Sequence, residues 1–141
     1  MNHRPRVLVT GSRTFGDVTV IRDALAVAWQ QLPGAVLVVG ACSRGADLLA
    51  EQCWTHWGGQ VERWLADWRG SCAASCPPGH RRTGGRGESI CPAAGMVRNA
   101  AMVAAGADLC LAFIRDRSRG ATHCATTAQK AGIPTTIHRH R

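Results

Sequence analysis

The chain has 141 residues, of which 45% are hydrophobic and 18% charged, and its formal net charge is +8. This length suits one domain with a real hydrophobic core, and the composition is not that of a disordered chain. No apolar run approaches the roughly 18 residues of a membrane-spanning helix, and the start of the chain lacks the apolar region of a signal peptide. We therefore expect a cytoplasmic protein with a single domain over residues 1–141 and no membrane partner.

Arginine dominates the positive charge, because Lys130 is the only lysine among the 17 basic residues. Arginine suits bidentate recognition of phosphate, although a codon bias toward arginine explains the excess equally well. The basic residues at both termini and between Arg81 and Arg86 predict a weak, salt-dependent attraction to nucleic acid. No aromatic stacking stripe accompanies them, so nucleic acid is not the favoured partner.

The first predicted element is a strand at Val7–Val9, an apolar run typical of strands buried on both faces. It breaks at Gly11, which allows a tight turn and a close backbone approach to a ligand. Asp17 or Thr19 would cap the helix that follows. A strand, a glycine turn and a helix N-terminus together favour the binding of an anion.

The same pattern returns twice along the chain. Val36–Val39 runs into the turn Gly40–Gly45, and Leu109–Ile114 runs into Ser118–Gly120. Like Ser12-Arg13 in the first turn, each later turn carries a Ser-Arg pair beside a glycine. This recurrence indicates a phosphate-bearing ligand.

Alternating apolar runs and helical periodicity continue through most of the remaining chain. The later predicted elements are a strand at Val61–Leu65, a helix at Ala93–Ala105, a strand at Asp108–Ile114, a helix at Thr122–Ala131 and a strand at Ile133–Ile137. Such alternation implies a mainly parallel sheet with helices on both faces. We predict a Rossmann-like α/β fold with an open sheet of about five strands, in the order 3-2-1-4-5, and ligand-binding loops at its carboxyl edge.

One long loop, residues 69–92, interrupts this pattern and holds Cys72, Cys76, His80 and Cys91. Three thiolates and one imidazole are a usual ligand set of a closed, tetrahedral zinc site. A structural zinc ion would order a loop that is otherwise unusually long for a compact domain. The alternative is that these are loose cysteines in an arginine-rich loop.

Several short motifs resemble the SLOG superfamily, the Rossmann-like nucleotide-ligand group that includes the LOG phosphoribohydrolases and the DNA-processing protein DprA. Within it, the chain is similar to the YspA/YpsA-related family. The motifs are V-T-G-S-R at Val9–Arg13, R-G-A-D at Arg44–Asp47, A-D-W at Ala66–Trp68, A-G-x-x-R-N at Ala94–Asn99, L-A-F at Leu111–Phe113 and S-R-G at Ser118–Gly120. The resemblance implies a Rossmann-like fold and a nucleotide-derived ligand.

One departure from the LOG pattern bears on catalysis. LOG-type hydrolases carry P-G-G-x-G-T-x-x-E at the fourth loop, whereas here Cys124 stands about where the catalytic glutamate would be. A hydrolase of this type would need another general acid or base. A His123–Cys124 catalytic pair is disfavoured, because neighbours on a helix do not face one another.

The candidate ligand-binding residues lie in the predicted loops and are Gly11, Ser12, Arg13, Arg44, Gly45, Asp47, Asp67, Arg98, Asn99, Ser118, Arg119 and Gly120. The glycine turn could be purely structural, and Arg98 could be simply solvated. Asp47 could hold a ribose hydroxyl or cap its helix, and these two roles are equally favoured. Asp67 could act as a base or orient Arg98 through an ion pair.

The function favoured by the sequence is the binding or sensing of a nucleotide or a nucleotide-derived phosphorylated ligand. One alternative is a hydrolase that acts on a nucleotide in the manner of a phosphoribohydrolase, and a second is DprA-like binding of nucleic acid. No catalytic residue is assigned, and Arg115 and Arg117 are expected to be exposed charge. The sequence leaves the ligand, any reaction and the oligomeric state open, and a homo-oligomer is compatible with it.

Overall fold

A computed structural model describes residues 4–42, 44–72, 74 and 76–140, so Ser43 of the second Ser-Arg pair lies outside the described residues. The elements in chain order are β1 (Arg6–Gly11), α1 (Val18–Gln31), β2 (Val36–Val39), α2 (Ala46–His56), β3 (Gln60–Arg63), β4 (Arg82–Thr83), β5 (Ser89–Ile90), α3 (Ala94–Ala104), β6 (Leu109–Arg115), α4 (Arg119–Lys130) and β7 (Thr135–His140).

The main sheet has five strands in the order β3-β2-β1-β6-β7, and all its pairings are parallel. This confirms the predicted Rossmann-like α/β class and the predicted strand order, in which β6 and β7 are the fourth and fifth strands. The winding reverses between β1 and β6, because the chain first moves outward through β2 and β3 and then returns to the other side of β1. Ligands of such sheets bind outside the carboxyl ends of the strands at this reversal.

The core has a layer of helices on each face of the sheet. Val7 and Val9 point into the first layer and Leu8 into the second, as the two-residue period of a strand requires. The first layer packs against Ile21, Leu25 and Trp54, and the second against Met102, Val103, Cys124 and Ala128. No helix within the described ranges is long and apolar enough to cross a membrane.

Several elements differ from the sequence prediction: β3 spans Gln60–Arg63 instead of Val61–Leu65, and three further differences have a visible structural reason. The loop at 69–92 contains an antiparallel hairpin of β4 and β5, whose two-residue strands are too short to show any periodicity. Helix α4 begins three residues before the predicted Thr122, since the backbone N–H of Thr122 already donates to Ser118 O at 3.2 Å. Ile133 is buried and closes the end of α4 through Ala128 O at 3.0 Å, so β7 begins only after it.

Ser12 joins three loops at the carboxyl edge of the sheet. Its backbone N–H donates to Phe113 O at 2.9 Å, and its carbonyl accepts from the N–H of Ala46 at 3.2 Å. Its buried hydroxyl donates to Arg115 O at 3.1 Å and accepts from the N–H of Arg115 at 2.9 Å. The end of β1, the end of β6 and the start of α2 are therefore fixed around one residue.

We expect Ser12→Ala to lower the free energy of unfolding by about 1–3 kcal/mol, because it removes both hydrogen bonds between the buried Ser12 hydroxyl and the backbone of Arg115. Urea unfolding followed by circular dichroism measures this change. Ser118→Ala is the matched control: its hydroxyl makes no capping bond within the described part of α4, so its cost should stay within about 0.5 kcal/mol. Equal costs for the two variants would show that the Ser12 hydroxyl does not hold the loops together.

Candidate functional site

The loops that follow β1, β2 and β6 line one cavity of about 980 Å³ at the carboxyl edge of the sheet. This volume is at the upper end of the range typical of small-molecule sites, about 300–1,000 Å³. The predicted site residues that line it are Gly11, Ser12, Arg13, Arg44, Asp47, Arg98, Asn99, Ser118 and Gly120. Gly45, Asp67 and Arg119 are not among the described lining residues.

Gly11 and Gly45 have a packing role. The sequence left this role open for the glycine turn, as the alternative to contact with a ligand. A Cβ at Gly11 would overlap the Cβ of Ala46 and lie 2.8 Å from Phe113 O. Gly45 has a φ of +79°, and a Cβ there would overlap Ser12 O. Both positions therefore require glycine for the close approach of backbone segments, and Gly11 lines the cavity as well.

Four exposed arginines lie around the cavity: Arg13, Arg44, Arg115 and Arg117. The sequence analysis expected the last two to be exposed charge alone, but the structure places them in the cavity lining. The signal that could have found them is their position at the end of β6 and just after it, at the reversal of the winding. Arg115 is further held by a bond from Nη1 to Thr14 O at 3.0 Å. Four positive charges at one opening raise the local concentration of an anionic ligand.

The N-terminus of α4 adds to this positive potential. Ser118 and Gly120, at the start of the helix, line the cavity. Unpaired N–H groups and the helix dipole favour an anion at such a position. The buried side chain of Asn99 fixes the first turn of α4, because its Nδ2 donates to Gly120 O at 3.2 Å. Asn99 therefore holds the cavity wall as well as lining it.

The side chain of Arg98 is half-buried and held by several hydrogen bonds, so Arg98 is not a simply solvated arginine. Its Nη1 donates to Gly40 O at 2.5 Å and to Trp64 O at 3.2 Å, and its Nε donates to Asn99 Oδ1 at 2.8 Å. It therefore ties the loops after β2 and β3 to α3. Truncating it would affect stability as well as the cavity.

Asp67 does not take the place that an ion pair with Arg98 would require. It is exposed, and its carboxylate lies against Gly70, where a Cβ would overlap it. The carboxylate that acts on Arg98 is Asp47, whose electrostatic interaction with Arg98 favours its ionised form.

Asp47 lies in the first turn of α2, is only 7% exposed and lines the cavity. Its Oδ1 has no hydrogen-bond partner among the described residues. Burial raises its pKa from 3.8 to about 6, against the opposing effects of Arg98, the backbone groups of Cys42 and Gly40, and Arg13. The cavity thus contains a carboxyl group with a pKa of about 6, one oxygen of which has no hydrogen-bond partner among the described residues.

Cys124 does not take over the role of the glutamate of LOG-type hydrolases. It is completely buried in the second core layer. Burial raises its pKa to about 11, more than the opposing hydrogen bond from Thr10 lowers it. At neutral pH the side chain is therefore a protonated thiol, which is neither a nucleophile nor a base.

The four predicted metal ligands come together beside the cavity. The ligand atoms of Cys72, Cys76, His80 and Cys91, here called the thiol–imidazole cluster, all lie within 4.8 Å of one another. Cys76 Sγ and Cys91 Sγ are 3.9 Å apart, and His80 Nε2 lies 2.9 Å from Cys72 Sγ and 3.5 Å from Cys91 Sγ. The β4–β5 hairpin brings His80 and Cys91 together. The cluster could bind a metal ion.

The sequence analysis also missed an apolar part of the cavity lining, formed by Leu65, Trp68, Pro92 and Met96. Trp68 belongs to the A-D-W motif, which was the available signal. Its indole lies against the backbone of Gly95, where a Cβ would be 3.1 Å from Cη2. This part of the lining comes from the loop after β3 and the start of α3.

The pKa of Asp47 predicts how stability depends on pH. A pKa raised by folding contributes stability that is complete below about pH 4 and is lost as the pH rises through about 6. The stability of the wild type relative to Asp47→Asn should therefore fall by up to about 3 kcal/mol from pH 4 to pH 8, as a shift of two units implies. Urea unfolding of both proteins across this range measures the change.

The charged and titratable groups that act on Asp47 are Arg98, Arg13 and Cys124, and all are present in both proteins. Asp23→Asn, an exposed change on α1, is the control and should follow the wild type at every pH. Parallel curves for the wild type and Asp47→Asn would contradict a raised pKa at Asp47.

Comparison with known proteins identifies the family of the chain. A family model described as the YspA, cpYpsA-related SLOG family matches residues 5–70. The chain is also similar to the Gene 61 protein of Mycobacterium phage D29, with 43% identity over 129 residues that span 92% of each protein. That relative's name states no activity. The matched family segment covers β1 to β3 together with cavity-lining residues of the three loops after these strands. The chain belongs to the YspA, cpYpsA-related SLOG family.

Proposed function

We propose that the protein binds a nucleotide or a nucleotide-derived phosphorylated small molecule in this cavity. The observation that carries the proposal is the combination, in one cavity, of four exposed arginines, a helix N-terminus and a buried carboxyl group, one oxygen of which has no hydrogen-bond partner among the described residues. Arginine guanidinium groups and the first turn of a helix are both suited to phosphate oxygens.

Asp47 supplies the second half of the proposed recognition. An unpaired buried acceptor costs about 1–3 kcal/mol, so the unliganded protein carries an unfavourable group that a donor from a ligand would satisfy. A sugar hydroxyl is such a donor, and it adds no charge beside the carboxylate. Of the two roles that the sequence left open for Asp47, the structure therefore supports ribose binding more than helix capping.

Nucleotide hydrolysis is the second candidate function, and the pKa of Asp47 favours it. A carboxyl group with a pKa of about 6 is suited to general acid–base catalysis near neutral pH. Incubation with nucleoside monophosphates, followed by chromatography for the free base, tests this activity, and Asp47→Asn should abolish it. DprA-like binding of nucleic acid keeps only the net charge of +8 in its support.

We propose further that the metal of the thiol–imidazole cluster is a structural zinc ion. A tetrahedral site with Zn–S bonds of about 2.3 Å has sulfur atoms about 3.8 Å apart, close to the 3.9 Å between Cys76 Sγ and Cys91 Sγ. Cys72 Sγ and His80 Nε2 would have to separate by roughly 0.6 Å from their 2.9 Å. Four protein ligands fill a tetrahedral shell, so the ion would stabilise the loop and leave no position for a reactive water.

Purified protein should contain about one zinc ion per chain, because three thiolates and an imidazole form a complete tetrahedral site. Elemental analysis of protein prepared without chelators measures this. Cys76→Ser should lose the metal and lower the melting temperature, whereas Cys53→Ser, the same change in α2, should keep the metal. Metal-free wild type, or equal metal contents in the two variants, would contradict the proposal.

Arg13→Ala should weaken binding of a phosphorylated ligand roughly ten- to hundredfold, because it removes a charge-assisted hydrogen bond of about 1.5–3 kcal/mol. A thermal-shift screen of nucleotides identifies the ligand, and calorimetric titration measures its affinity. Arg98→Ala should also weaken binding but should destabilise the fold, since Arg98 braces two loops. Stability should barely change in Arg13→Ala, because Arg13 is exposed.

Arg22→Ala is the matched control, because Arg22 is an exposed arginine on α1 and is not among the described residues that line the cavity. Its affinity should equal that of the wild type. Unchanged affinity in Arg13→Ala as well would place the ligand elsewhere, and the arginines around the cavity would then have no part in binding.

A further inference from the structure

We infer that Leu65, Trp68, Pro92 and Met96, here called the apolar wall, form a nucleobase subsite that the thiol–imidazole cluster holds in place. This inference rests on the proposed nucleotide binding and narrows the ligand to one that carries an aromatic base. The metal would then support ligand recognition as well as the order of the loop, because recognition of the base would depend on the metal. Recognition of the phosphate would not.

The cavity divides into an apolar part and a charged part. Leu65 and Trp68 follow β3, whereas Arg13 follows β1 and Arg115 ends β6. In the order β3-β2-β1-β6, these positions are two and three strands away from β3, or about 10–14 Å at the usual strand spacing. A separation of this size between an apolar surface and a phosphate site suits a nucleotide better than a phosphate alone.

Large apolar side chains of this wall are exposed. Leu65 is 79% exposed and Met96 is 39% exposed, although both line a cavity. A cluster of exposed large apolar side chains in a concave site is typical of ligand-binding surfaces. Trp68 adds a flat aromatic ring, and stacking of a base on such a ring contributes about 1–3 kcal/mol.

Backbone hydrogen bonds connect the apolar wall directly to the thiol–imidazole cluster. The backbone N–H of Cys91 donates to Trp68 O at 2.7 Å, and Cys91 O accepts from the N–H of Ala94 at the start of α3 at 3.1 Å. Pro92, a residue of the wall, follows Cys91 directly. Nη1 of Arg81 donates to Gly70 O at 2.9 Å and ties the hairpin to the segment after Trp68. A metal ion that fixes Cys91 would therefore fix the wall.

The arginine loops have a separate support. Ser12 holds them through bonds to Phe113, Ala46 and Arg115, none of which involves the cluster. Loss of the metal should therefore leave the phosphate part of the cavity intact. This separation makes the inference testable with two ligands that share a phosphate and a sugar, of which only one carries a base.

The first test compares the common nucleoside monophosphates with ribose 5-phosphate by calorimetric titration. In the wild type, the best nucleotide should bind roughly 5- to 100-fold more tightly than ribose 5-phosphate, as expected for stacking of one base. Trp68→Ala should abolish most of this ratio and leave the affinity for ribose 5-phosphate unchanged. Trp68→Phe keeps an aromatic ring and should keep most of the ratio.

An equal loss of both affinities in Trp68→Ala, or an unchanged ratio, would overturn the base subsite while the proposed nucleotide binding stands. Binding of neither ligand by the wild type, together with no response in the nucleotide screen, would overturn the proposed function and this inference with it.

The second test removes the metal. Protein treated with a chelator, and the Cys76→Ser variant, should lose the preference for the nucleotide and keep the affinity for ribose 5-phosphate. Adding zinc back to the chelated wild type should restore the preference, which also serves as the readout if Cys76→Ser does not fold. A preference that persists in metal-free protein would overturn the link between the cluster and the wall.

Discussion

The hydrogen bonds that converge on Ser12 are the constraint on which the cavity depends. They place the end of β1 against the end of β6 and the start of α2, at distances that only glycine allows at positions 11 and 45. The loops are therefore fixed before any ligand arrives. Fixing them in advance removes part of the ordering cost of binding, and it holds the arginines at one edge of the sheet.

The same packing creates a strongly unfavourable group in the site. Asp47 is buried because α2 starts against Ser12, and its ionisation then costs free energy, although Arg98 and Arg13 offset part of that cost. A carboxylate with a free oxygen destabilises the empty protein relative to a neutral side chain. Local conflicts of this kind are expected at functional sites, where a ligand makes the contacts that the fold leaves unmade. Here the conflict lies in a cavity that Arg13, Arg44, Arg115 and Arg117 also line.

The sequence predicted what depends on local pattern and missed what depends on distant contacts. Strands buried on both faces, such as Val7–Val9, show as continuous apolar runs, and their alternation with helices predicts a mainly parallel sheet. The ligand set of the cluster was also visible, because the chemistry of three thiols and an imidazole does not depend on the loop's path. The position of Arg115 was not visible, because it is set by bonds to Ser12, which is 103 residues away along the chain. Asp67 was missed for a different reason: its carboxylate lies against Gly70 in a tight local turn, for which the sequence pattern gave no signal.

A metal ion bound by the thiol–imidazole cluster would explain how a loop as irregular as residues 69–92 contributes to the apolar part of the cavity lining. A segment with little apolar burial cannot offset the entropy of ordering its backbone, about 1–2 kcal/mol per residue. A structural zinc ion contributes apparent binding free energies of about 10–16 kcal/mol, which is the scale needed to order such a segment. The rigid sheet and the Ser12 bonds would then present the charged part of the cavity, and the metal would present the apolar part. On this division, the charged part of the cavity would be built by the fold itself, and selection among bases would rest on a segment whose order depends on a bound metal.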